Sequence, residues 1–164
     1  MSKFIVVTGA PCSGKTTFVS ESITEKDIVF DWDSMKEALT YGSIDRSSRV
    51  IDSYLSEVRK AFLKVAAENT DREKIYFICV RFDSDKAAYL KELGIDYEVH
   101  EMETTKDECL ERLENDDTRQ NKEDLKAAII EWFEEKENDS KSLEEKMKNL
   151  EAFLITEKEK NDYE

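Results

Sequence analysis

Eight residues near the amino terminus combine glycine, lysine and threonine in a spacing that can hold phosphate. The pattern GxxxxGK[ST] is matched by Gly9, Ala10, Pro11, Cys12, Ser13, Gly14, Lys15 and Thr16. Glycines let successive backbone N–H groups turn inward, and the helix that follows directs its positive end at the same point. The alternative is a tight turn that binds nothing. Because an apolar strand and a helix are predicted on either side, we expect a phosphate-binding loop.

Side chains at the end of this loop indicate what kind of phosphate compound would bind. Lys15 would bridge the β- and γ-phosphates of a nucleoside triphosphate, and the hydroxyl of Thr16 would hold Mg²⁺. Thr17 could add a contact to the α-phosphate. Cys12 lies near a helix N-terminus that could lower its thiol pKa, so a reactive thiol is an alternative to a contact through the backbone alone. We expect ATP and Mg²⁺ as cofactors, with GTP in place of ATP left open.

Two carboxylates follow the second strand that the sequence predicts. Asp31 and Asp33 flank Trp32 at the end of residues 27–31, and ligands of open parallel sheets bind beyond the carboxyl ends of the strands. A carboxylate there could accept the proton of an attacking hydroxyl or orient Mg²⁺ through water. Which of the two would be the base stays open. Asp33 could instead cap the helix predicted from Ser34.

Strands that alternate with helices must position these groups. Residues 4–8 and 75–80 are continuous apolar runs, which are typical of parallel strands buried on both faces. Further strands are predicted at 27–31 and 95–102, and helices at 15–22, 34–39, 47–67, 84–93, 107–113, 122–136 and from about 140. This order predicts right-handed βαβ crossovers and an α/β three-layer sandwich with a parallel sheet of about four or five strands.

Apolar stripes on the helices predict how they pack. In the helix expected at 47–67, the apolar side is Val50, Tyr54, Val58, Phe62 and Val65, and the polar side carries Arg49, Arg59, Lys60 and Lys64. The helix at 122–136 has the stripe Leu125, Ile129, Trp132 and Phe133. The last helix has Leu143, Met147, Leu150 and Leu154, which could seat against its own domain or form a homodimer with a second copy. We expect one compact domain at 1–137 and an acidic C-terminal helix at 138–164.

The composition limits the classes of partner. The chain has 39 acidic and 25 basic residues, a net charge of −14, which disfavours an extended nucleic-acid surface. Cys12, Cys79 and Cys109 lack the spacing of a disulfide framework or a zinc site. With no apolar window long enough for a membrane span and no signal peptide pattern, we expect a cytoplasmic protein without a membrane partner.

Three segments together resemble one known family. GAPCSGKTT, DWDSMK and ERLENDDTR are similar to segments of the kinase domain of phage polynucleotide 5′-kinase, the zeta-toxin-like kinases and uncharacterised phage P-loop kinases, over about residues 3–135. The resemblance implies a P-loop NTPase fold of the nucleotide-kinase-like type. It also implies that Asp33 is the base, that Lys36 holds a substrate phosphate, and that Arg112 and Arg119 belong to a lid at about 114–121 that closes over ATP. If the chain is phage-encoded, its compartment is the host cytoplasm.

The basic residues of this region have a physical interpretation of their own. Arginine in a polar loop can approach a transferring phosphoryl group and neutralise its developing charge, whereas a solvated loop with a Glu108–Arg112 pair is the alternative. Arg46 and Arg49 lie near the start of the long helix after the second strand, in the region that surrounds the acceptor in nucleotide kinases. The third strand ends in Cys79, Val80 and Arg81, so the acid that the family has there is absent or displaced to Asp83. Arg81 could contact the substrate or pair with a neighbouring acid.

These observations predict an ATP- and Mg²⁺-dependent kinase whose acceptor is a nucleoside, a nucleotide or a polynucleotide 5′ end. A first alternative is a switch that binds ATP, hydrolyses it slowly and acts on a protein partner. A second is a relative that keeps the fold without turnover. Intact Lys15 and Thr16 favour the enzyme, whereas the missing third-strand acid favours the inactive relative.

Overall fold

Four parallel strands form one sheet in this computed structural model, which describes residues 2–46, 48–69 and 71–161, with side chains up to residue 151. The strands are β1 (Lys3–Thr8), β2 (Ile28–Asp31), β3 (Lys74–Cys79) and β4 (Tyr97–Glu101), in the spatial order β2-β3-β1-β4. All three pairings are parallel. The chain leaves β1 toward one edge of the sheet and later reaches the other edge, so β1 lies at a topological switch point, where ligands of such sheets bind.

Helices cover both faces of the sheet. They are α1 (Lys15–Ser22), α2 (Trp32–Thr40), α3 (Asp52–Glu68), α4 (Ser84–Glu92), α5 (Lys106–Glu114) and α6 (Lys122–Asn161). Alternate residues of β1 and β3 are buried on opposite faces, which is the period of a strand. Phe4 and Phe77 pack with Leu63 of α3 and Leu90 of α4, whereas Val7 packs on the other face near α1. The predicted three-layer α/β sandwich is therefore confirmed, with four strands.

The α5–α6 pair packs at the end of the sheet where the strands finish. Cys109, Leu113, Ile129 and Trp132 form a buried cluster with Ala10 of the predicted phosphate loop. The indole N–H of Trp132 also donates a hydrogen bond to the Val80 carbonyl, at 2.9 Å. The apolar stripe predicted for residues 122–136 thus packs α6 against the carboxyl end of the sheet.

Two predictions about α3 are wrong. The helix begins at Asp52 rather than at Ser47, which itself lies outside the described residues. Its buried residues are Leu55, Leu63 and Ala66, whereas Val50, Tyr54 and Val65 are 78%, 71% and 54% exposed. Val58 and Phe62 of the expected stripe are partly buried at its border. Apolar residues follow helical spacing on both sides of Val58 and Phe62. Helical periodicity therefore could not decide which of these two sides is buried.

The C-terminal part of the chain also differs from expectation. α6 is one continuous helix from Lys122 to Asn161, without the break expected before residue 140. Residues 137–140 contain no glycine or proline, and a Lys141–Glu137 ion pair at 2.7 Å spans this stretch.

The described part of the apolar stripe in this last section is largely exposed. Leu143, Met147 and Leu150 are 61%, 56% and 59% exposed, and the side chain of Leu154 lies outside the described part. Packing of the stripe on its own domain, one of the two alternatives, is therefore wrong for these three residues. The domain boundary near residue 137 and a homodimer through this helix stay predictions. Within the described ranges, no helix is both long and apolar enough to cross a bilayer.

The buried face of α3 predicts a contrast between neighbouring substitutions. Leu63→Ala should lower the free energy of unfolding by about 2–5 kcal/mol, because it removes buried methyl groups and leaves a cavity. Val65→Ala, the matched change on the exposed side, should alter it by less than about 0.5 kcal/mol. Urea unfolding followed by circular dichroism measures both. Equal effects would mean that the buried face has been assigned incorrectly.

Candidate functional site

A cavity of about 1130 Å³ opens at the carboxyl ends of β1, β2 and β3. The structure brings most of the predicted site residues to its wall. These are Pro11, Cys12, Ser13, Gly14, Lys15, Thr16, Thr17, Asp31, Asp33, Arg81, Arg112 and Arg119. Gly9 and Ala10 precede the lining residues at the start of the loop. A volume of this size lies at or slightly above the upper end of the range for small-molecule sites, so it can hold a nucleotide together with a second small molecule.

The loop from β1 into α1 has a backbone that only glycine adopts easily at two points. Gly9 has φ of 155° and Gly14, the N-cap of α1, has φ of 93°. A Cβ atom on Gly9 would lie 2.8 Å from Oγ of Ser13, and one on Gly14 would lie 3.0 Å from Nη1 of Arg112. Both glycines are therefore required by backbone conformation, and a Cβ atom at Gly9 would in addition crowd the side chains of Ser13 and Met102. The resulting turn directs the N-terminus of α1 into the cavity.

Lys15 folds back over this loop. Its Nζ atom donates hydrogen bonds to the carbonyls of Gly9 and Ala10, at 2.8 and 2.7 Å. Burial lowers the pKa of Lys15 from its ordinary value. The ammonium group thus lies inside the loop, where a phosphate group would meet it. Ser13 adds a buried hydroxyl that has no hydrogen-bond partner among the described residues, so a phosphate oxygen could satisfy it.

Cys12 does not have the surroundings of a reactive thiol. It lies in the loop with φ of 63° and packs against the cluster that contains Cys109. Burial raises the pKa of the Cys12 thiol despite the positive charges of Arg119, Lys15 and Arg112. The thiolate is therefore disfavoured, which is the opposite of the lowered pKa that a reactive thiol would need. Its expected part in the loop, through the backbone, stays a prediction.

Thr16 and Asp31 form a pair of oxygen groups at the start of α1 and α2. Oγ1 of Thr16 lies 3.4 Å from Oδ2 of Asp31. Asp31 is also the N-cap of α2, since its carboxylate accepts hydrogen bonds from the Asp33 N–H at 3.3 Å and the Ser34 hydroxyl at 2.9 Å. The helix cap is therefore Asp31 and not Asp33, because α2 begins two residues earlier than expected.

These two residues fit what Mg²⁺ requires of a protein. Mg²⁺ prefers oxygen ligands and usually keeps water and substrate phosphates beside one or two protein groups. A hydroxyl and a carboxylate within hydrogen-bond reach, next to the loop, supply that donor set. Within residues 2–46, 48–69 and 71–161 there is no cluster of three or more acidic, histidine or cysteine side chains that could hold a metal by itself.

The carboxylate of Asp33, unlike that of Asp31, has no hydrogen-bond partner among the described residues. It is half-buried and forms no ion pair with them either. Burial raises the pKa of Asp33, and the negative charge of Asp31 raises it further, against the smaller opposing effects of Arg46, Arg119 and Lys36. A carboxylate that is unpaired and more basic than usual can accept a proton from a bound hydroxyl.

The two arginines of the expected lid have different partners. Nη1 of Arg112 is 3.4 Å from the Cys12 carbonyl, directly over Gly14. The alternative pair of Glu108 with Arg112 is not formed, because the Glu108 carboxylate accepts hydrogen bonds from Thr105 in a capping box. Arg119 pairs instead with Asp116, at 3.2 Å.

A second cavity of about 380 Å³ adjoins the first, and Asp33 and Arg119 line both. Lys36 and Arg46 line only this second cavity. Arg46 lies 3.5 Å from Glu37 in an exposed ion pair. Arg49 is exposed and lines neither of these two cavities. Of the five residues predicted to bind the acceptor, Asp31 and Arg81 thus line the large cavity, Lys36 and Arg46 line the second one, and Arg49 lines neither.

Lys36 has a structural environment that its sequence position does not reveal. Its side chain is buried, and its Nζ donates to the carbonyls of Arg46 and Ser48 at 2.8 and 2.6 Å, with Asp52 at 3.7 Å. The ammonium group therefore fixes the segment between α2 and α3. A contact with substrate phosphate, which the resemblance implies, would compete with these three partners.

The end of β3 lacks a carboxylate directed at the site. Cys79 occupies the last position of the strand, and Arg81 pairs with Glu135, which is the salt bridge left open by the sequence. Asp83 caps α4, accepts hydrogen bonds from Lys86 and does not line the large cavity. The expected displacement of the third-strand acid to Asp83 therefore has no support.

Trp32 and Arg59 are among the cavity residues that the sequence did not indicate. Trp32, between the two aspartates, lines the large cavity, and the Arg59 guanidinium lies over its ring at 5.3 Å from the centroid. An aromatic residue between two acids at a strand end was the available signal for Trp32. No signal indicated Arg59, which was expected on the solvated side of α3. It lies one turn from buried Leu55 and one from buried Leu63, on the same face.

Comparisons with known proteins agree with this architecture. No protein-family model and no curated protein matches the chain. The fold aligns with a chain of the Pnkp1/Rnl/Hen1 RNA repair complex at a TM-score of 0.62 and 15% identity, over 84% of this chain and 46% of that one. It also aligns with shikimate kinase from Bacteroides thetaiotaomicron at a TM-score of 0.50 and 16% identity, over 83% and 79% of the two chains.

At such low identities these likenesses show the fold alone. The chain has the predicted α/β fold with a parallel sheet, which it shares with these two structures, and it spans less than half the length of the matched chain in the RNA repair complex. Activity and substrate must therefore be argued from the site.

The environment of Lys36 predicts a loss of stability when its charge is removed. Lys36→Met should lower the free energy of unfolding by about 1–3 kcal/mol, because two carbonyls and Asp52 lose their buried partner. The control Lys64→Met, at an exposed position on α3, should change it by less than about 0.5 kcal/mol. Chemical unfolding of both variants is the measurement, and indistinguishable midpoints would contradict the structural role.

Proposed function

We propose that the protein is an ATP- and Mg²⁺-dependent phosphotransferase that acts on a hydroxyl or phosphate of a nucleoside, a nucleotide or a polynucleotide 5′ end. The observation that carries this proposal is the unpaired carboxylate of Asp33, which lines the same cavity as the glycine-rich loop. A loop that binds phosphate needs no base beside it for binding alone. Transfer to a hydroxyl does need a group that accepts the proton.

The donor side of the site consists of the loop and its neighbours. Backbone N–H groups of the loop from Gly9 to Thr16, except at Pro11, which has none, and the N-terminus of α1 bind the phosphate oxygens. The Lys15 ammonium moves from the loop carbonyls to the β- and γ-phosphates. Thr16 and Asp31 would hold Mg²⁺, which when bound neutralises charge on the β- and γ-phosphates. Thr17 contacts the α-phosphate.

The transfer step uses Asp33 as the base. The acceptor hydroxyl gives its proton to the Asp33 carboxylate while its oxygen bonds to the γ-phosphorus. The bond from the γ-phosphorus to the β–γ bridging oxygen breaks, and its electron pair leaves with ADP. Arg112 and Arg119 neutralise the charge that spreads over the transferring group, with residues 114–121 as a lid. The acceptor-side residues of the proposal are Asp31, Lys36, Arg46, Arg49 and Arg81.

A nucleotide-dependent switch is the second candidate, and one observation favours it. Where the resembling kinases have an acid at the end of the third strand, this chain has Cys79, Val80 and Arg81. Burial raises the pKa of the Cys79 thiol, which keeps it neutral. Slow hydrolysis of ATP coupled to a protein partner would be less affected by the absence of this acid than rapid phosphoryl transfer would be. The exposed stripe of Leu143, Met147 and Leu150 would then be a contact surface.

Transfer of label from γ-labelled ATP tests the proposal directly. With Mg²⁺ and separate nucleoside, nucleoside monophosphate and 5′-hydroxyl oligonucleotide acceptors, we expect label on one acceptor class. Asp33→Asn should lower kcat by about 10²–10⁴-fold, because the proton acceptor is lost. Lys15→Ala should lower it by about 10²–10³-fold, because charge on the phosphates is no longer stabilised.

Matched variants separate these effects from general damage to the fold. Asp85→Asn, in the first turn of α4, and Lys64→Ala, on the exposed side of α3, lie outside both cavities and should leave transfer unchanged. ATP hydrolysis that no acceptor stimulates and that Asp33→Asn does not affect would instead support the switch.

The raised pKa of Asp33 also predicts the pH dependence of transfer. A base acts in its ionised form, so kcat/KM should rise as the pH increases through the Asp33 pKa, which lies above the ordinary aspartate value of 3.8. Asp33→Asn should remove this rise while leaving weak residual transfer. A profile that is the same in both proteins would exclude Asp33 as the titrating base.

A further inference from the structure

Strand β4 lies at one edge of the sheet and has a neighbour on one side. It pairs with β1, and the order β2-β3-β1-β4 places no strand of the described residues beyond it. Its side chains are little covered, since every residue from Glu98 to Glu101 is exposed and Val99 is 48% exposed. An edge of this kind offers unpaired backbone groups to another strand.

Every second residue of β4 directs its backbone groups away from β1. The Met102 N–H donates a hydrogen bond to the Thr8 carbonyl at 2.9 Å, so residue 102 faces β1. Because successive residues of a strand present their N–H and C=O groups to opposite sides, residue 101 faces outward, and the alternation continues back along β4. The outward residues are Tyr97, Val99 and Glu101. Their N–H and C=O groups have no hydrogen-bond partner in the described part of the chain.

In one antiparallel alignment, the polar side chains of β4 are complementary to those of a second copy. With Val99 opposite Val99 of the partner subunit, the outward residues form hydrogen-bonded pairs, and each pair exchanges both of its backbone bonds. The same alignment places Glu98 opposite His100 of the partner subunit, in the type of pair whose side chains lie closest. A carboxylate accepts a hydrogen bond from an imidazole N–H, and two-fold symmetry forms this contact twice.

Neighbouring alignments bring identical groups together instead. A shift by two residues, which keeps the same outward set, places either Glu98 opposite Glu98 of the partner subunit or His100 opposite His100 of the partner subunit. A parallel pairing in register does both. Because like charges directly opposite each other destabilise a strand pair, side-chain charge selects the antiparallel alignment centred on Val99.

Contacts within the chain hold the two polar side chains of this alignment at the edge. The His100 ring stacks on Phe18 of α1, with centroids 4.1 Å apart and 4° between the ring planes. The Glu98 carboxylate pairs with Lys3 of β1 at 2.8 Å. Both side chains lie on the same face of the sheet, since they are two residues apart on one strand. No residue of β4 lines either cavity, so a strand added here displaces no cavity residue.

We propose that β4 is a dimer interface, at which β4 of a second copy adds antiparallel to the free edge and joins the two four-stranded sheets into one. An antiparallel strand at the edge of an otherwise parallel sheet is common in α/β proteins. This interface is distinct from the homodimer through α6 that the sequence suggested. It does not depend on the proposed phosphotransferase, because it uses no residue of that site.

Sedimentation equilibrium of the full chain tests the interface. We expect a monomer–dimer equilibrium with a dissociation constant of about 1–100 μM, because one strand pair is a small contact. Val99→Pro should raise this constant about tenfold to a hundredfold, since it removes an outward N–H from each copy and no bond to β1. Val99→Thr keeps the N–H and the β-branched shape and should dimerise like the wild type.

Two results of this experiment would contradict the interface. One is a chain that stays monomeric at about 1 mM, far above the expected dissociation constant. The other is a dimer that Val99→Pro leaves intact and that Met147→Glu, on the exposed stripe of α6, dissociates. That second result would assign dimerisation to α6. Neither measurement requires turnover, so both are independent of whether any acceptor is phosphorylated.

Exchange of charge between two copies tests the alignment itself. Glu98→Lys and His100→Glu should each raise the dissociation constant about tenfold, because each variant places repelling groups opposite one another twice. An equimolar mixture of the two should dimerise again. In the mixed dimer, the lysine of one variant lies opposite the glutamate of the other, and one native Glu98–His100 pair remains.

A control and a second readout keep this test separate from damage to the fold. Glu92→Lys reverses a charge at an exposed position of α4 and should leave the dissociation constant unchanged. Circular dichroism should show all variants folded, because positions 98 and 100 are exposed. A mixture of Glu98→Lys and His100→Glu that dimerises no better than either variant alone would overturn the proposal, since loss of fold in one copy cannot be repaired by another.

Discussion

The turn from β1 into α1 is the constraint on which the rest of the site depends. Gly9 and Gly14 hold backbone angles that side chains with a Cβ rarely adopt, and both have close neighbours where a Cβ would lie. The turn is held from outside as well, because the Thr104 hydroxyl donates to the Ser13 carbonyl at 2.7 Å and the cluster around Trp132 packs on Ala10. The conformation of the loop therefore depends on β1 and on the packing of α5 and α6 against it.

Acidic composition explains how the basic residues are used. Most of the arginines and lysines near the cavities are neutralised by a carboxylate, as Arg81 is by Glu135 and Arg119 by Asp116. Such pairs at an exposed edge contribute little stability, but they leave few cations for a ligand. Lys15, Arg112 and Arg59 are the cavity cations that lack an ion pair within the described part of the chain, and they lie around the loop and Trp32.

Packing of α3 decides which of its residues reach the site. The helix buries Leu55, Leu63 and Ala66, so Arg59 lies on the buried face one turn from each leucine. Lys36 holds the segment before α3, because its ammonium group donates hydrogen bonds to the carbonyls of Arg46 and Ser48. A basic residue that resembled a phosphate ligand thus organises the loop that borders the second cavity.

The sequence by itself determined the α/β class, the four strands, the loop and the two aspartates, because each depends on neighbours within a few residues. Alternation of apolar runs with helices and the spacing of Gly9, Gly14 and Lys15 are local patterns. Tertiary structure alone decided the face of α3, the burial of Lys36, the pairing of Arg81, the exposure of Leu143 and the approach of Arg59 to Trp32. These features depend on contacts between elements far apart in the chain, and a periodic pattern does not specify which of two adjoining faces a neighbouring element will cover.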